Sequence, residues 1–168
     1  MGHKAHKMSA PESVRLGILS ISSSRTAADD ISGQWIGKRA RKEGHRVVLY
    51  TVIPDDAEMI SKTLRQAIDA DAPDAILMTG GTGISPKDVT IEAVRPLFDK
   101  ELTAFATIFS QLSFEDIDSA ALLSRATAGV VCGTVVFCMP GSLKACKLAC
   151  RALIFPELGH IVGHLHEA

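Results

Sequence analysis

The chain has little that would suit it to nucleic acid or to a membrane. Aromatic residues fill only 5% of its 168 positions, with one Trp and one Tyr, too few for the stacking platforms that hold single strands. An excess of one charge is missing too: 18 Lys and Arg face 19 Asp and Glu, a formal net charge of −1. Without a basic field there is no electrostatic case for a nucleic-acid or anionic-membrane partner. Apolar runs such as Thr134 to Met139 are of strand length, far below the ~20 residues of a membrane span. Met1 to Ser13 carry no apolar h-region, so residues 1–13 are expected to form a flexible tail rather than a signal peptide. Repeats, linkers and low-complexity tracts are also lacking, which makes 14–168 one domain. The apolar share of 46% and the charged share of 22% are those of an ordinary globular protein. A chain this large and apolar needs no disulfide staples. Cys132, Cys138, Cys146 and Cys150 are expected to be free buried thiols in a reducing cytoplasm.

What is present is an ordered alternation. Val14 to Ser22 is a near-continuous apolar run. Asp30-Ile31-Ser32 offers capping side chains for a helical segment ending at Gly44. His45 to Ile53 reads as a second strand, broken at Pro54. From Asp56 the positions Met59, Ile60, Leu64, Ala67 and Ile68 recur at helical spacing. Asp74 to Thr79 is a third strand, Thr90 to Leu123 is helical and irregular, and Ala126 to Val131 with Thr134 to Met139 reads as a hairpin. A helix from about Ser142 to Phe155 ends the pattern. Strands apolar throughout, alternating with helices, specify βαβ units. The expected fold class is a three-layer α/β/α domain with a mostly parallel central sheet.

In such folds, ligands bind beyond the carboxyl ends of the strands. Three loops fall there. Thr79-Gly80-Gly81-Thr82-Gly83 follows the third strand, and its glycines allow the backbone to approach an anion closely. It is neither a Walker A loop nor GxGxxG, and a plain tight turn is the alternative. Pro140-Gly141-Ser142 precedes the last helix, where Ser142 could cap the helix or serve an anion; Lys144 lies one turn further on. Ser22-Ser23-Ser24-Arg25 after the first strand is rich in hydroxyls. Asp55 stands just past the second strand and Asp88 just past the glycines, where a carboxylate pair could hold Mg²⁺ beside phosphates or merely cap helices. Asp56 is as good a cap as Asp55.

Two other groupings carry less. His160 and His164 are four apart, as helical zinc ligands can be, with His166 nearby, but no acid or cysteine pattern completes a site and a solvated terminal helix is the expectation. Cys146 and Cys150 share the face of a broadly apolar helix, and core packing is their expected role.

Taken in order, these motifs resemble the MoaB/MogA family of molybdenum cofactor biosynthesis proteins. The resemblance rests on Gly17 to Arg25, Asp30-Ile31-Ser32-Gly33, Ile53-Pro54-Asp55, Thr79 to Gly83 with Asp88-Val89-Thr90, Ser124-Arg125 and Met139 to Ser142. Leu97 to Glu101, Leu112 to Glu115 and Met139 to Cys146 are most similar to the MoaB branch. The resemblance implies binding of molybdopterin and transfer of AMP from ATP to its terminal phosphate, with Mg²⁺ and release of pyrophosphate. It implies Asp55 and Asp88 as catalytic, metal-associated acids. Ser22, Gly80, Gly81, Thr82, Gly83, Gly141 and Ser142 become phosphate and pterin binders, joined by Thr79, Glu101 and Arg125. It further implies a homotrimer or a hexamer of two trimers. A non-catalytic molybdopterin-binding scaffold is the alternative within the same pathway.

Overall fold

The computed structural model describes residues 10–167, and its sheet is built outward from the first strand. β1 (Arg15–Ile21) is buried at every position after Arg15. It pairs in parallel with β2 (Arg46–Ile53) on one side and β3 (Ala75–Thr79) on the other. A strand enclosed in this way has apolar neighbours on both faces, which is why its sequence shows no alternation.

The crossovers are α1 (Ile31–Lys42) and α2 (Ala57–Asp71). Asp30 caps α1 by accepting from Gly33 N at 3.0 Å, and its second carboxylate oxygen accepts from the Tyr50 hydroxyl at 2.8 Å. Burial and this bond to Asp30 push the Tyr50 hydroxyl well above the usual tyrosine range. Asp56 caps α2, accepting from Met59 N at 2.8 Å.

Beyond β3 come α3 (Thr90–Val94), a 3₁₀ turn at Arg95–Leu97, β4 (Lys100–Glu101), α4 (Thr103–Ile117) and a second 3₁₀ turn at Asp118–Leu123. β4 is not among the sequence expectations: two exposed polar residues carry no periodicity, and only pairing with β5 (Thr127–Val131) makes them a strand. The expected hairpin is present. β5 runs antiparallel to β6 (Thr134–Met139), and β6 lies parallel to β3. Its loop is Cys132-Gly133, both with positive φ (48° and 80°), the I′ geometry that suits a two-residue hairpin. The sheet order is β2-β1-β3-β6-β5-β4.

The last helix departs from expectation. α5 (Leu143–Ala149) continues through a wide π turn (Cys150–Ile154) into α6 (Phe155–Leu165) rather than stopping at Phe155. Phe155 N donates to Cys150 O, so the chain widens just where Pro156 cannot donate, and the helix survives the proline. Nor is α6 a solvated helix: Leu158 and Val162 are buried in the core.

Side chains alternate between two cores. Leu16, Ile18, Leu77 and Phe137 pack with Phe105, Phe109 and Ile154 on one face, and Leu19, Ile21, Met78 and Val136 pack with Ile60 and Leu64 on the other. The sheet is thus covered on both sides, giving the three layers. All four cysteines are free; Cys138, Cys146 and Cys150 are buried as expected, but Cys132 is exposed because it forms the hairpin tip. Burial pushes the Cys138 thiol up to about 12. No described helix is long and apolar enough to cross a membrane. The N-terminal expectation falls mostly on residues 1–9, outside the described residues. Pro11 lies against Gly159 of α6, and Ser13 Oγ donates to Gly44 O at 2.9 Å.

Candidate active site

The chain leaves β1 toward β2 on one side and leaves β3 toward β6 on the other. Loops after these strands therefore splay apart at their carboxyl ends and leave a crevice. It holds a cavity of about 290 Å³ lined by Ser22, Arg25, Asp55, Gly80, Gly81, Thr82, Gly83, Asp88 and Gly141. A second cavity of about 230 Å³, lined by Asp29, Ile31, Ser32, Ser142 and Leu143, shares Arg25 and Gly141 with the first. Two adjoining chambers with a common guanidinium can hold two ligands, or two ends of one.

Because Asp56 takes the capping role, Asp55 is released from it. Asp55 Oδ2 accepts from Ser23 N at 2.7 Å and from Ser23 Oγ at 2.8 Å. Ser22 Oγ accepts from Arg25 N at 3.2 Å, so the hydroxyl-rich loop turns back on itself and aims Arg25 across the crevice. Asp88 does not cap a helix either: the residue before α3 is Val89, which makes no side-chain cap. Its Oδ2 accepts from Ser85 N at 2.8 Å.

The glycines are there for space. Gly80 has φ 101°, and a Cβ would sit 2.3 Å from Ile21 O. At Gly81 (φ 63°) a Cβ would meet Thr90 Oγ1 at 2.4 Å and Asp55 Oδ1 at 3.3 Å. A Cβ at Gly83 would lie 2.7 Å from Asp88 Oδ2. The loop is pinned from behind, with Thr90 Oγ1 donating to Gly80 O at 2.8 Å and Gly80 N donating to Met139 O at 3.0 Å.

Charge is arranged around this loop. Burial works to raise the Asp88 pKa, but hydrogen bonds from Ser85 and the Gly83 backbone, with the Arg125 guanidinium behind, outweigh it and hold the carboxyl below its usual range. Glu92 is likewise held low, chiefly by its hydrogen bond from Arg125. Arg25, by contrast, has no hydrogen bond or ion pair for its guanidinium among the described residues. Thr82 Oγ1 is buried in the same cavity without a protein partner among them. A buried unsatisfied hydroxyl costs about 1–3 kcal/mol, and an oxygen-rich ligand in the cavity would satisfy it.

These residues fit a Mg²⁺–phosphate group. Among the described residues no three His, Cys, Asp or Glu side chains converge on one point, so the protein would contribute at most the two carboxylates. Mg²⁺ takes that number when phosphate oxygens and water complete its shell.

Several expected residues lie elsewhere. Thr79 is buried beneath the cavity, its Oγ1 donating to Pro140 O at 3.1 Å. Arg125 is spent on the loop: Nε donates to Thr82 O at 3.0 Å and Gly83 O at 2.9 Å, while the two Nη atoms engage Glu92. It braces the loop from outside the lining. Glu101 accepts from Arg95 and Thr127 and faces a different cavity. Lys144 pairs with Asp116 at 3.1 Å. Ser142 caps α5, accepting from Ala145 N at 3.2 Å, and lines the second chamber. Ser23 and Arg25 lie in a loop the sequence places at a strand end as a candidate binder, but neither is singled out there; Ser32, expected only as a helix-capping residue, instead donates from Oγ to Gly141 O at 2.9 Å.

A doubly covered, mostly parallel sheet with an acid-flanked glycine loop at its switch point defines an α/β protein whose crevice is suited to phosphate-bearing ligands. A family model described as "Probable molybdopterin binding domain" matches residues 17–160. Molybdenum cofactor biosynthesis protein B of Bacillus subtilis (strain 168) is 43% identical over 168 residues, covering 99% of each chain. A protein of Methanocaldococcus jannaschii named "Probable molybdopterin adenylyltransferase" is 39% identical over 160 residues, covering 93% of this chain and 96% of its own. A crystal structure of molybdenum cofactor biosynthesis protein B superposes with a TM-score of 0.90 at 46% identity, covering 94% of this chain and 98% of that one. The chain belongs to the MoaB/MogA family of molybdenum cofactor biosynthesis proteins.

Proposed function

We propose that the protein works in molybdenum cofactor biosynthesis as a Mg²⁺- and ATP-dependent molybdopterin adenylyltransferase. The observation that carries this reading is the pair Asp55 and Asp88 facing one cavity across the glycine loop, with neither carboxylate used as a helix cap. The archaeal relative's name supports the same reaction.

In this reading a terminal phosphate oxygen of the pterin attacks the α-phosphorus of ATP in line. A new P–O bond forms, the bond from that phosphorus to the bridging oxygen of the β-phosphate breaks, and pyrophosphate leaves. The attacking oxygen carries no proton, so no general base is needed. The chain's work is positioning and charge neutralisation. Arg25, common to both chambers, neutralises phosphate oxygens at their junction. Gly80 to Gly83 let those oxygens come against the backbone, and the Thr82 hydroxyl donates to one of them. Ser142 and the start of α5 bind in the second chamber. Asp55 and Asp88 are the residues that would hold Mg²⁺, which supplies charge neutralisation of the polyphosphate when bound. Arg125 keeps the loop in shape, and Thr79 and Glu101 serve the fold around it.

The proposed assembly is a homotrimer or two trimers joined. The exposed apolar residues Ile108, Phe114, Leu122 and Leu123 of α4 and the turn after it support self-association. The proposed compartment is the cytoplasm, in keeping with free thiols.

Anaerobic incubation of the purified protein with molybdopterin, ATP and Mg²⁺ tests the reaction. Adenylated pterin and pyrophosphate should form in equal amounts. Pterin binding without either product would refute adenylylation and favour the non-catalytic scaffold.

A further inference from the structure

The turn Pro140-Gly141 separates the two chambers. Gly141 lines both, and a Cβ added to it would lie 3.1 Å from Gly80 Cα, so the turn touches the glycine loop. Among the described residues no backbone N–H reaches the carbonyl of Pro140 or of Gly141. Side chains from three elements do so instead. Ser32 Oγ, in the first turn of α1, donates to Gly141 O at 2.9 Å. Thr79 Oγ1, at the end of β3, donates to Pro140 O at 3.1 Å, and Cys146 Sγ, near the start of α5, lies 3.3 Å from the same oxygen. Thr79 Oγ1 and Cys146 Sγ are 3.0 Å apart. Whichever of them donates to the other, the second hydrogen is left for Pro140 O. All three side chains are buried. Burial also pushes the Cys146 thiol up, so it keeps its hydrogen at neutral pH. A buried polar network satisfied in this way is rigid.

We infer that Ser32, Thr79 and Cys146 are positioning residues that hold the Pro140-Gly141 turn in place, so that both chambers can be filled at once. The inference rests on the proposed function for its two ligands, the nucleotide and the pterin. Neither Thr79 nor Cys146 lines either cavity, so both act through the backbone they hold. Released from these bonds, the turn yields to whichever ligand arrives first. A ligand in the crevice then pushes it into the second chamber. One in the second chamber presses it onto Gly80 and the loop that lines the crevice. Ligands that a fixed wall keeps independent become competitors, and an in-line transfer needs both in place together.

The test is an anaerobic calorimetric titration of the full chain with Mg²⁺ and α,β-methylene-ATP, which cannot transfer AMP, alone and in saturating molybdopterin. Ser32→Ala releases Gly141 O, and Thr79→Val/Cys146→Ala releases Pro140 O. Wild type should bind the nucleotide with the same affinity, within about threefold, whether or not pterin is present. Each released variant should bind either ligand alone about as well as wild type, yet bind the nucleotide about tenfold more weakly once pterin is bound. Ser32→Thr and Thr79→Ser, which keep the hydroxyls, should behave as wild type. A merely structural role would weaken each ligand alone, and that result would overturn the inference. So would joint binding unchanged in the released variants, or a wild type that cannot hold both ligands at once. Joint binding by wild type with no product from ordinary ATP would refute adenylylation instead, and the variants would still decide the role of the three residues.

Discussion

Ser23 and Asp55 hold each other by three hydrogen bonds: Ser23 N and Oγ both donate to Asp55 Oδ2, at 2.7 and 2.8 Å, and Asp55 N donates to Ser23 Oγ at 3.0 Å. The loop after β1 and the loop after β2 are thereby locked together, and one carboxylate oxygen is fixed while Oδ1 stays on the side of Gly81. If Asp55 is catalytic as proposed, Ser23→Ala should keep the fold and lower kcat/KM by about ten- to a hundredfold, because the carboxylate held loosely loses its orientation. Steady-state kinetics beside a thermal melt checks this.

The hydroxyl of Thr82 has no protein partner among the described residues. Thr82→Val should therefore leave stability equal or higher while weakening ligand binding by about 1.5–3 kcal/mol, the contribution of a hydrogen bond to a charged group. Urea unfolding and ATP or pterin titration on the same samples separate the two effects. A variant that is less stable yet binds normally would make Thr82 a structural residue.

Gly80 and Gly133 form a matched pair for the glycine loop. Both have positive φ, but a Cβ at Gly80 meets Ile21 O at 2.3 Å, whereas one at Gly133 meets nothing within 4 Å. Gly133→Ala should cost only the backbone conformation, about 1–3 kcal/mol, and leave ligand binding intact. Gly80→Ala should cost more than that and abolish binding, since the β1 and β3 ends must separate to admit the methyl group. Denaturant curves and binding isotherms decide.

Arg125 makes the loop's stability depend on pH. Asp88 and Glu92 are both held below their usual range in the folded protein. A depressed carboxyl contributes stability above its unfolded pKa, near pH ~4, and loses it as pH falls through the folded value. Arg125→Gln should therefore destabilise most at neutral pH, with the gap to wild type closing as pH falls below about 4. Urea midpoints measured from pH 7 downward test the sign. A gap that widens in acid would contradict this assignment.

The frame of the molecule was legible in the chain because its signals are local. Val14 to Ser22 is apolar throughout since two strands enclose it, and Asp30 lies next to the helix it caps. What escaped depends on pairing or backbone geometry that periodicity does not show. β4 is a strand only because β5 pairs with it, and the terminal helix passes Pro156 only because a π turn precedes it. The candidate site was legible as a set of strand-end loops, but not in its division of labour. Asp55 and Asp56 are equivalent as sequence, and only the fold turns one to the crevice and the other to Met59. Arg125 reads as a phosphate ligand until its guanidinium is seen wrapped around Thr82, Gly83 and Glu92. Arg25 reads as loop polarity until two cavities are seen to share it.

The central claim is that Asp55 and Asp88 together make the crevice catalytic. The most direct measurement is anaerobic turnover of molybdopterin, ATP and Mg²⁺ by wild type, Asp55→Asn and Asp88→Asn, with pterin binding recorded for each. The account predicts adenylated pterin and pyrophosphate from wild type, a loss of at least about a hundredfold in each variant, and pterin still bound by both. Turnover by either variant at the wild-type rate would contradict it.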